Sequence, residues 1–190
     1  LGIFSIDKHI AHRMAIRDTW LRGAAAARIE GTAHRTPVLT CEALDGMAGR
    51  KLFFKCENFQ KMGAFKFRGA LNAVSLLSDA QAANGVVTHS SGNFAQALAL
   101  AARARGIPAY IVMPSNAPVV KIRAVEGYGG LITLCEPTLE ARNREAERIR
   151  ARTGSTLLHP YDDPSVIAGQ GTVCLELMDQ AENLQAIVVP

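Results

Sequence analysis

The chain has 190 residues, of which 48% are hydrophobic and 20% are charged, and its formal net charge is +4 at pH 7. This composition is typical of a folded globular protein and argues against a disordered or fibrous chain. No basic segment is interleaved with aromatic residues, and no apolar run reaches the length of a membrane span, so we expect neither nucleic acid nor a membrane as a partner. The four cysteines lack the paired spacing of a zinc or dithiol site, which predicts no metal site and a cytoplasmic location.

The first part of the chain predicts few regular elements. Residues 1–23 are predicted to be an N-terminal extension, and the alanine-rich stretch 24–30 a helix. An extended segment at 36–39 and a short strand at 52–56 precede a helix at 67–77, whose apolar residues recur at helical spacing.

From residue 86 onward, short apolar strands alternate with longer helices. The strands are predicted at 86–88, 109–113, 131–134, 156–158 and 186–190, and the helices at 93–105, 118–126, 139–152 and 168–178. This alternation is typical of βαβ units and predicts an α/β fold with a parallel sheet. Because the chain begins without Met and stops on an apolar strand pattern, we expect it to be a fragment of a longer protein.

Lys66 stands between a turn that contains Gly63 and a predicted helix, with Phe65 and Phe67 on either side. Desolvation by such rings lowers the pKa of an amine and makes it nucleophilic near neutral pH. The alternative is a surface lysine whose aliphatic stem covers Phe65. Gly69, inside the helix, indicates close packing or close approach of a ligand.

A second motif, Ser90-Ser91-Gly92-Asn93, connects a predicted strand to a predicted helix. Free N–H groups and small hydroxyls at a helix N-terminus bind anions such as a carboxylate. The alternative is an ordinary helix cap, for which Ser and Asn are common. Gly169 and Gly171, at the predicted start of a later helix, are consistent with turn punctuation alone.

Three segments together resemble the fold-type II pyridoxal-phosphate enzymes, and in particular the serine/threonine dehydratase and serine racemase group. They lie at 57–70, 88–93 and 159–172, and the likeness runs from about residue 35 to Pro190. The resemblance implies a two-lobed architecture like that of the tryptophan synthase β-subunit, with parallel sheets. Residues 24–83 would form the first part of the large lobe, and residues 84–157 the small α/β lobe. Residues 158–190 would belong to the large lobe again, which this chain leaves incomplete.

The resemblance also implies which residues contact the cofactor, pyridoxal 5'-phosphate. Lys66 would hold it covalently and act as the base on one face of the substrate Cα. Asn93 would hydrogen-bond its phenolic oxygen, and Phe65 would also contact it. The glycine-rich phosphate loop of the family, its contact to the pyridine nitrogen and the metal site of some members would all follow Pro190.

The substrate side of the site follows in the same way. Ser90 and the loop N–H groups of Ser91, Gly92 and Asn93 would bind the substrate carboxylate. Ser91 would stand on the face opposite the lysine, where a racemase needs its second acid or base. Arg142 would approach the substrate; the alternative is a surface arginine on a charged helix.

One residue departs from the pattern of the group. Many members carry His directly after the Ser-Ser-Gly-Asn segment, and this chain has Phe94. The polar contact of that imidazole is therefore expected to be lost, which leaves the substrate preference open.

The expected function is deamination of threonine- or serine-type β-hydroxy amino acids to 2-oxo acids and ammonia, with a small amino acid as the ligand. The alternatives are a serine racemase or a 3-hydroxyaspartate ammonia-lyase, and a fragment that is not catalytic. We expect a homodimer for the full-length protein.

Overall fold

A computed structural model describes residues 23–189 and, for residues 2–5, the backbone. The chain forms an α/β fold, as predicted, with eight strands in the described part: β1 Gly2–Ser5, β2 Val38–Leu39, β3 Phe54–Lys55, β4 Val86–His89, β5 Ala109–Pro114, β6 Leu131–Cys135, β7 Thr156–Leu157 and β8 Ala186–Val189. The helices are α1 at 23–29, α2 Glu42–Ala48, α3 Lys66–Ser75, α4 Asp79–Asn84, α5 Asn93–Arg105, α6 Val119–Gly127, α7 Leu139–Thr153 and α8 Pro164–Gln180.

A four-stranded sheet in the order β6-β5-β4-β7 is parallel throughout, which confirms the predicted parallel sheet. Its register pairs Val86 with Ala109 and Tyr110 with Leu131. Every residue of the inner strand β4 is buried, including the polar Thr88 and His89, whereas Leu131 on the edge strand β6 is 52% exposed. All four strands lie inside 84–157; the division of the chain into lobes stays a prediction.

Two antiparallel strand pairs lie outside this sheet. One joins β2 to β3, and the other joins β1 to β8 with Gly2 opposite Val189. The expected N-terminal extension lies mostly outside the described residues, since 6–22 are not described. None of the described helices is both long and apolar enough to span a bilayer.

The helix α8 starts four residues earlier than predicted. The Asp163 carboxylate accepts hydrogen bonds from the N–H groups of Ser165 and Val166, at 2.8 and 3.1 Å, and Pro164 occupies the first turn. An Asp cap followed by Pro is a common helix start. The interpretation of Gly169 and Gly171 as residues of a turn is therefore not supported, because both lie inside the helix, one turn or more after its start.

Glycines allow α3 and α8 to approach closely. A Cβ on Gly169 would lie 2.6 Å from both the Arg68 carbonyl oxygen and the Gly69 Cα, and a Cβ on Gly69 would lie 2.7 Å from the Val166 carbonyl oxygen. No real Cβ sits that near to backbone, so both positions require glycine. The structure thus confirms close packing as the reason for Gly69.

A buried ion network holds the same two helices together. The side chain of Arg68 is fully buried and donates to both carboxylate oxygens of Glu57, at 2.8 Å each, and to those of Glu176, at 2.6 and 2.9 Å. Lys55 also donates to Glu176, at 2.7 Å. Burial alone would raise the pKa of Glu176, but the hydrogen bonds from Arg68 and Lys55 outweigh it and hold the pKa below its usual value. The network fixes α3, and with it the position of Lys66 at the helix start.

Candidate active site

A cleft of about 600 Å³ lies at the carboxyl edge of the parallel sheet, within the usual size range of small-molecule sites. It is formed where β4, β5 and β6 end and the following helices begin. The lining residues are Lys66, His89, Ser90, Ser91, Gly92, Asn93, Phe94, Lys121, Leu139, Arg142, Pro160 and Tyr161. The structure therefore brings together all the sequence-predicted site residues except Phe65.

Lys66 is the first residue of α3, and its amine reaches the cleft. Nζ donates a hydrogen bond to the carbonyl oxygen of Pro160 at 3.1 Å and lies 5.1 Å from the centroid of the Phe65 ring. Burial lowers the pKa of the Lys66 amine, which increases the fraction that is neutral and nucleophilic at a given pH. The alternative of an ordinary surface lysine does not describe this environment.

The two phenylalanines beside Lys66 differ from expectation. Phe65 is 39% exposed, and although its ring lies against the amine it does not line the cleft. Phe67 is buried in the core, with Lys61 rather than Lys66 above its ring at 5.8 Å. Of the two flanking rings, only that of Phe65 therefore lies against the Lys66 amine.

The Ser-Ser-Gly-Asn loop turns from β4 directly into α5. The Ser90 N–H donates to the Val112 carbonyl oxygen at 3.1 Å, and the Ser90 hydroxyl accepts from the Gly92 N–H at 3.3 Å. Gly92 occupies the N-cap position, and no side chain caps α5. Because the alternative reading required Ser or Asn as the cap, it is not supported. The first N–H groups of α5 are available for an anion in the cleft.

Arg142 lies in the first turn of α7, half-buried, and its side chain lines the cleft. Its Nε donates to the Thr138 carbonyl oxygen at 3.3 Å. Arg142 is thus a half-buried residue of a charged helix that also lines the cleft. That Arg142 contacts the substrate stays a prediction.

Three polar residues of the cleft, His89, Lys121 and Tyr161, were not among the predicted site residues. His89 ends β4 and its ring lies 5.4 Å from that of His159, which lies 4.4 Å from that of Tyr161. Burial, followed by the charges of His159 and Arg142, lowers the pKa of His89. For His89, its position at the end of a parallel strand was the available signal, since such ends share one edge of the sheet.

Phe94 is 2% exposed and belongs to the hydrophobic core as well as to the wall of the cleft. An apolar ring thus occupies the place where many members of the group carry an imidazole. The wall beside the α5 N-terminus can supply packing but no hydrogen bond from this side chain.

The cleft fits the expected cofactor. An amine whose pKa burial lowers is the group that condenses with an aldehyde, and it faces a cleft large enough for a cofactor together with a small ligand. Among the residues that the structure describes, no group of three or more His, Cys, Asp or Glu side chains could hold a metal ion.

Comparison with known proteins finds relatives with several activities. The chain is 52% identical over 184 residues to a serine racemase of Arabidopsis thaliana, covering 97% of this chain and 54% of the relative. It is 53% identical over 167 residues to a β-hydroxyaspartate dehydratase of Paracoccus denitrificans, covering 88% and 53%. The solved structure of threonine deaminase isoform 2 of Solanum lycopersicum superposes with a TM-score of 0.83 at 33% identity, covering 90% of this chain and 47% of that one.

The chain thus spans about half the length of the relatives it matches. The family described as "Pyridoxal-phosphate dependent enzyme" matches residues 29–190, which is most of the chain. This match agrees with the sheet order, with the lysine at the start of α3 and with the resemblance noted in the sequence. The chain belongs to the family of pyridoxal-phosphate dependent enzymes.

Proposed function

We propose that the full-length protein is a pyridoxal-phosphate dependent ammonia-lyase that acts on a small β-hydroxy amino acid of the threonine or serine type. The products are a 2-oxo acid and ammonia, formed by loss of the β-hydroxyl as water and hydrolysis at Cα. One observation carries the proposal: the Lys66 amine and the N-terminus of α5, which no side chain caps, face the same cleft. A nucleophilic amine and an anion site are what this chemistry needs from the protein.

The residues of the cleft divide the task. The first N–H groups of α5 and the Ser90 hydroxyl bind the α-carboxylate and so fix the substrate Cα. Lys66 holds the cofactor, and its amine then accepts the proton from Cα. When bound, pyridoxal phosphate draws electrons away from Cα and makes that proton acidic. Asn93, the first residue of α5, orients the cofactor through its amide.

Racemisation of serine is a second candidate, because Ser91 also lines the cleft and offers a hydroxyl as a second proton carrier. The Arabidopsis relative is named serine racemase. A third candidate, the 3-hydroxyaspartate ammonia-lyase, is favoured by the relative named β-hydroxyaspartate dehydratase. All three share removal of the Cα proton by Lys66.

The role of Lys66 is tested by borohydride reduction of the holoenzyme followed by peptide mapping. We expect the reduced cofactor on Lys66 and no retained label in Lys66→Ala. The matched control, Lys51→Ala, removes an exposed lysine that does not line the cleft and should keep the label. Covalent cofactor retained by the Lys66→Ala protein would overturn the proposal.

The reaction is assigned by assaying L-threonine, L-serine and 3-hydroxyaspartate for 2-oxo acid and for the opposite enantiomer. Ser91→Ala should abolish racemisation and leave most of the elimination, since elimination needs no second proton carrier. The non-catalytic reading predicts that the 190-residue chain alone binds added pyridoxal phosphate weakly, and reducible, saturable binding by that chain would contradict it.

We also propose that the full-length protein is a cytoplasmic homodimer. All four cysteines are free, which supports a reducing compartment. Sedimentation of the purified protein should give twice the monomer mass, and fractionation of its cells should recover it with the cytosol.

A further inference from the structure

The loop of residues 158–163, between β7 and α8, contacts the amine of the reacting lysine. Nζ of Lys66 donates a hydrogen bond to the carbonyl oxygen of Pro160 at 3.1 Å, and the amine has no other hydrogen-bond partner in the part of the chain that the structure describes. Pro160 and Tyr161 line the cleft, whereas His159 is not among the lining residues. The carbonyl of Pro160 is therefore the acceptor that can orient the Lys66 amine.

The side chain of His159 holds this carbonyl in place. Its Nδ1 accepts the N–H of Asp162 at 2.9 Å and, more weakly, that of Tyr161 at 3.4 Å. The N–H of Tyr161 and the C=O of Pro160 belong to one peptide group, which is planar and trans, so the two point in opposite directions. Because His159 accepts the N–H on one side, the carbonyl faces the Lys66 amine on the other.

Nδ1 of His159 can serve this turn only as an acceptor. A ring nitrogen that accepts a hydrogen bond carries no proton, so the neutral imidazole has its proton on Nε2. Two further rings pack against His159: the imidazole of His89, from β4, with centroids 5.4 Å apart, and the ring of Tyr161, at 4.4 Å. Packing of the ring is thus a second contribution of His159, separate from the acceptor.

The orientation of the Lys66 amine matters if it acts as a base. A neutral amine has a single lone pair, and fixing one of its N–H bonds limits the directions in which that pair can point. Once the amine has taken a proton, the ammonium donates a stronger, charge-assisted hydrogen bond to the same carbonyl. Displacing a reacting group by about 1 Å can lower a rate by about a hundredfold.

We propose that His159 is a positioning residue for the Lys66 base. Its Nδ1 fixes the peptide group that joins Pro160 to Tyr161, and the Pro160 carbonyl in turn directs the amine toward the substrate Cα. The inference rests on the proposed function, because it assumes that Lys66 removes the Cα proton. A residue that does not line the cleft thereby helps to set the rate of that step.

Two variants separate the acceptor from the ring. His159→Phe keeps an aromatic ring beside His89 and Tyr161 and removes Nδ1. His159→Asn removes the ring and keeps an acceptor, because Oδ1 of Asn is bonded to Cγ as Nδ1 of His is, and Asn commonly accepts the N–H of a residue two positions further on. The matched control, His34→Phe, makes the first change at an exposed histidine outside the cleft.

The measurement is the exchange of the Cα hydrogen of L-alanine for solvent deuterium by the full-length holoenzyme. L-alanine has no β-hydroxyl to lose, so the exchange reports removal of the Cα proton alone. We expect His159→Phe to lower kcat per bound cofactor by about ten- to hundredfold and to change KM by less than about threefold, since the proposed carboxylate site is on α5. His159→Asn and His34→Phe should each keep kcat within about threefold of the wild type.

A wild-type kcat in His159→Phe, or an equal loss in His159→Asn, overturns the inference, because either result means that the acceptor does not set the rate. Nitrogen NMR of the wild-type protein tests the inference without a variant: the neutral His159 ring should carry its proton on Nε2, and a proton on Nδ1 overturns it. If the exchange follows the expected pattern but no β-hydroxy amino acid yields a 2-oxo acid, the proposed function alone fails. No exchange by wild-type protein that carries the cofactor on Lys66 overturns both.

Discussion

Replacing Gly169 with Ala tests whether the close crossing of α3 and α8 is required. The added Cβ would lie 2.6 Å from the Arg68 carbonyl oxygen and from the Gly69 Cα, about 0.8 Å short of ordinary contact. Both obstacles are backbone, so relief requires the two helices to separate. Overpacking of this kind costs about 1–3 kcal/mol, and the better helix propensity of Ala returns roughly 0.5–1 kcal/mol.

We therefore expect Gly169→Ala to lower the free energy of unfolding by up to about 2.5 kcal/mol in urea titrations of the full-length protein. The matched control is Gly46→Ala in α2, where a Cβ meets nothing within 4 Å, and this change should stabilise by roughly 0.5–1 kcal/mol. If Gly169→Ala stabilises the protein as Gly46→Ala does, the helices are not held at contact distance and the reasoning fails.

Three further predictions concern charged groups. Arg68→Met should lower the free energy of unfolding by about 3–5 kcal/mol, because it leaves the mostly buried carboxylate of Glu57 without its cation and that of Glu176 with Lys55 alone. Arg35→Met removes an exposed ion pair and should cost less than about 1 kcal/mol, and equal losses of the two variants in urea would contradict the buried network. The pKa of His89 is lower in the folded protein than its ordinary value of 6.5, so protonation below pH 6.5 favours the unfolded chain and lowers the melting temperature. His89→Gln should therefore make the melting temperature fall less as the pH drops below 6.5, and an unchanged pH dependence would refute this. In cofactor-free protein, an amine reagent should label Lys66 at a lower pH in the folded state than in the urea-unfolded state, because burial lowers the pKa of its amine. If mass mapping finds that the unfolded state is labelled at the lower pH, the lowered pKa of Lys66 is contradicted.

The sequence predicted most of the parallel sheet and its helices, because their apolar runs are short, regular and bounded by glycines. The bounds of α5 at Asn93–Arg105 agree with the prediction. The helix α4 was missed although Ser78 and Gln81 form a capping box at its start, which is a signal readable from sequence. The start of α8 was misjudged because its interior glycines were interpreted locally, and only the contact with α3 shows why a helix tolerates them there.

Local motifs identified Lys66 and the segment 90–93 of the candidate site, whereas Arg142 came only from the family resemblance. Ser90 to Asn93 form one segment, and a local motif identifies all four. Lys121 lies 28 residues after Asn93 and carries no local motif, so nothing in its neighbourhood indicates a site. Lys121 lines the cleft because β5, which precedes its helix, lies between β4 and β6 in the sheet. No local motif indicates the order of the strands in a sheet.

The segment around Lys66 also shows why a motif does not equal a site. Within four residues, Lys66 presents an amine to the cleft, Arg68 points away from it into the buried ion network, and Gly69 allows α3 and α8 to pack closely. Only the first of these can touch a ligand. The other two fix the start of α3, and an amine at a helix start moves with the whole helix. A change at Gly169, on another helix and outside the cleft, should therefore disturb Lys66 more than the distance along the chain suggests, while a change at an exposed lysine such as Lys51 should not.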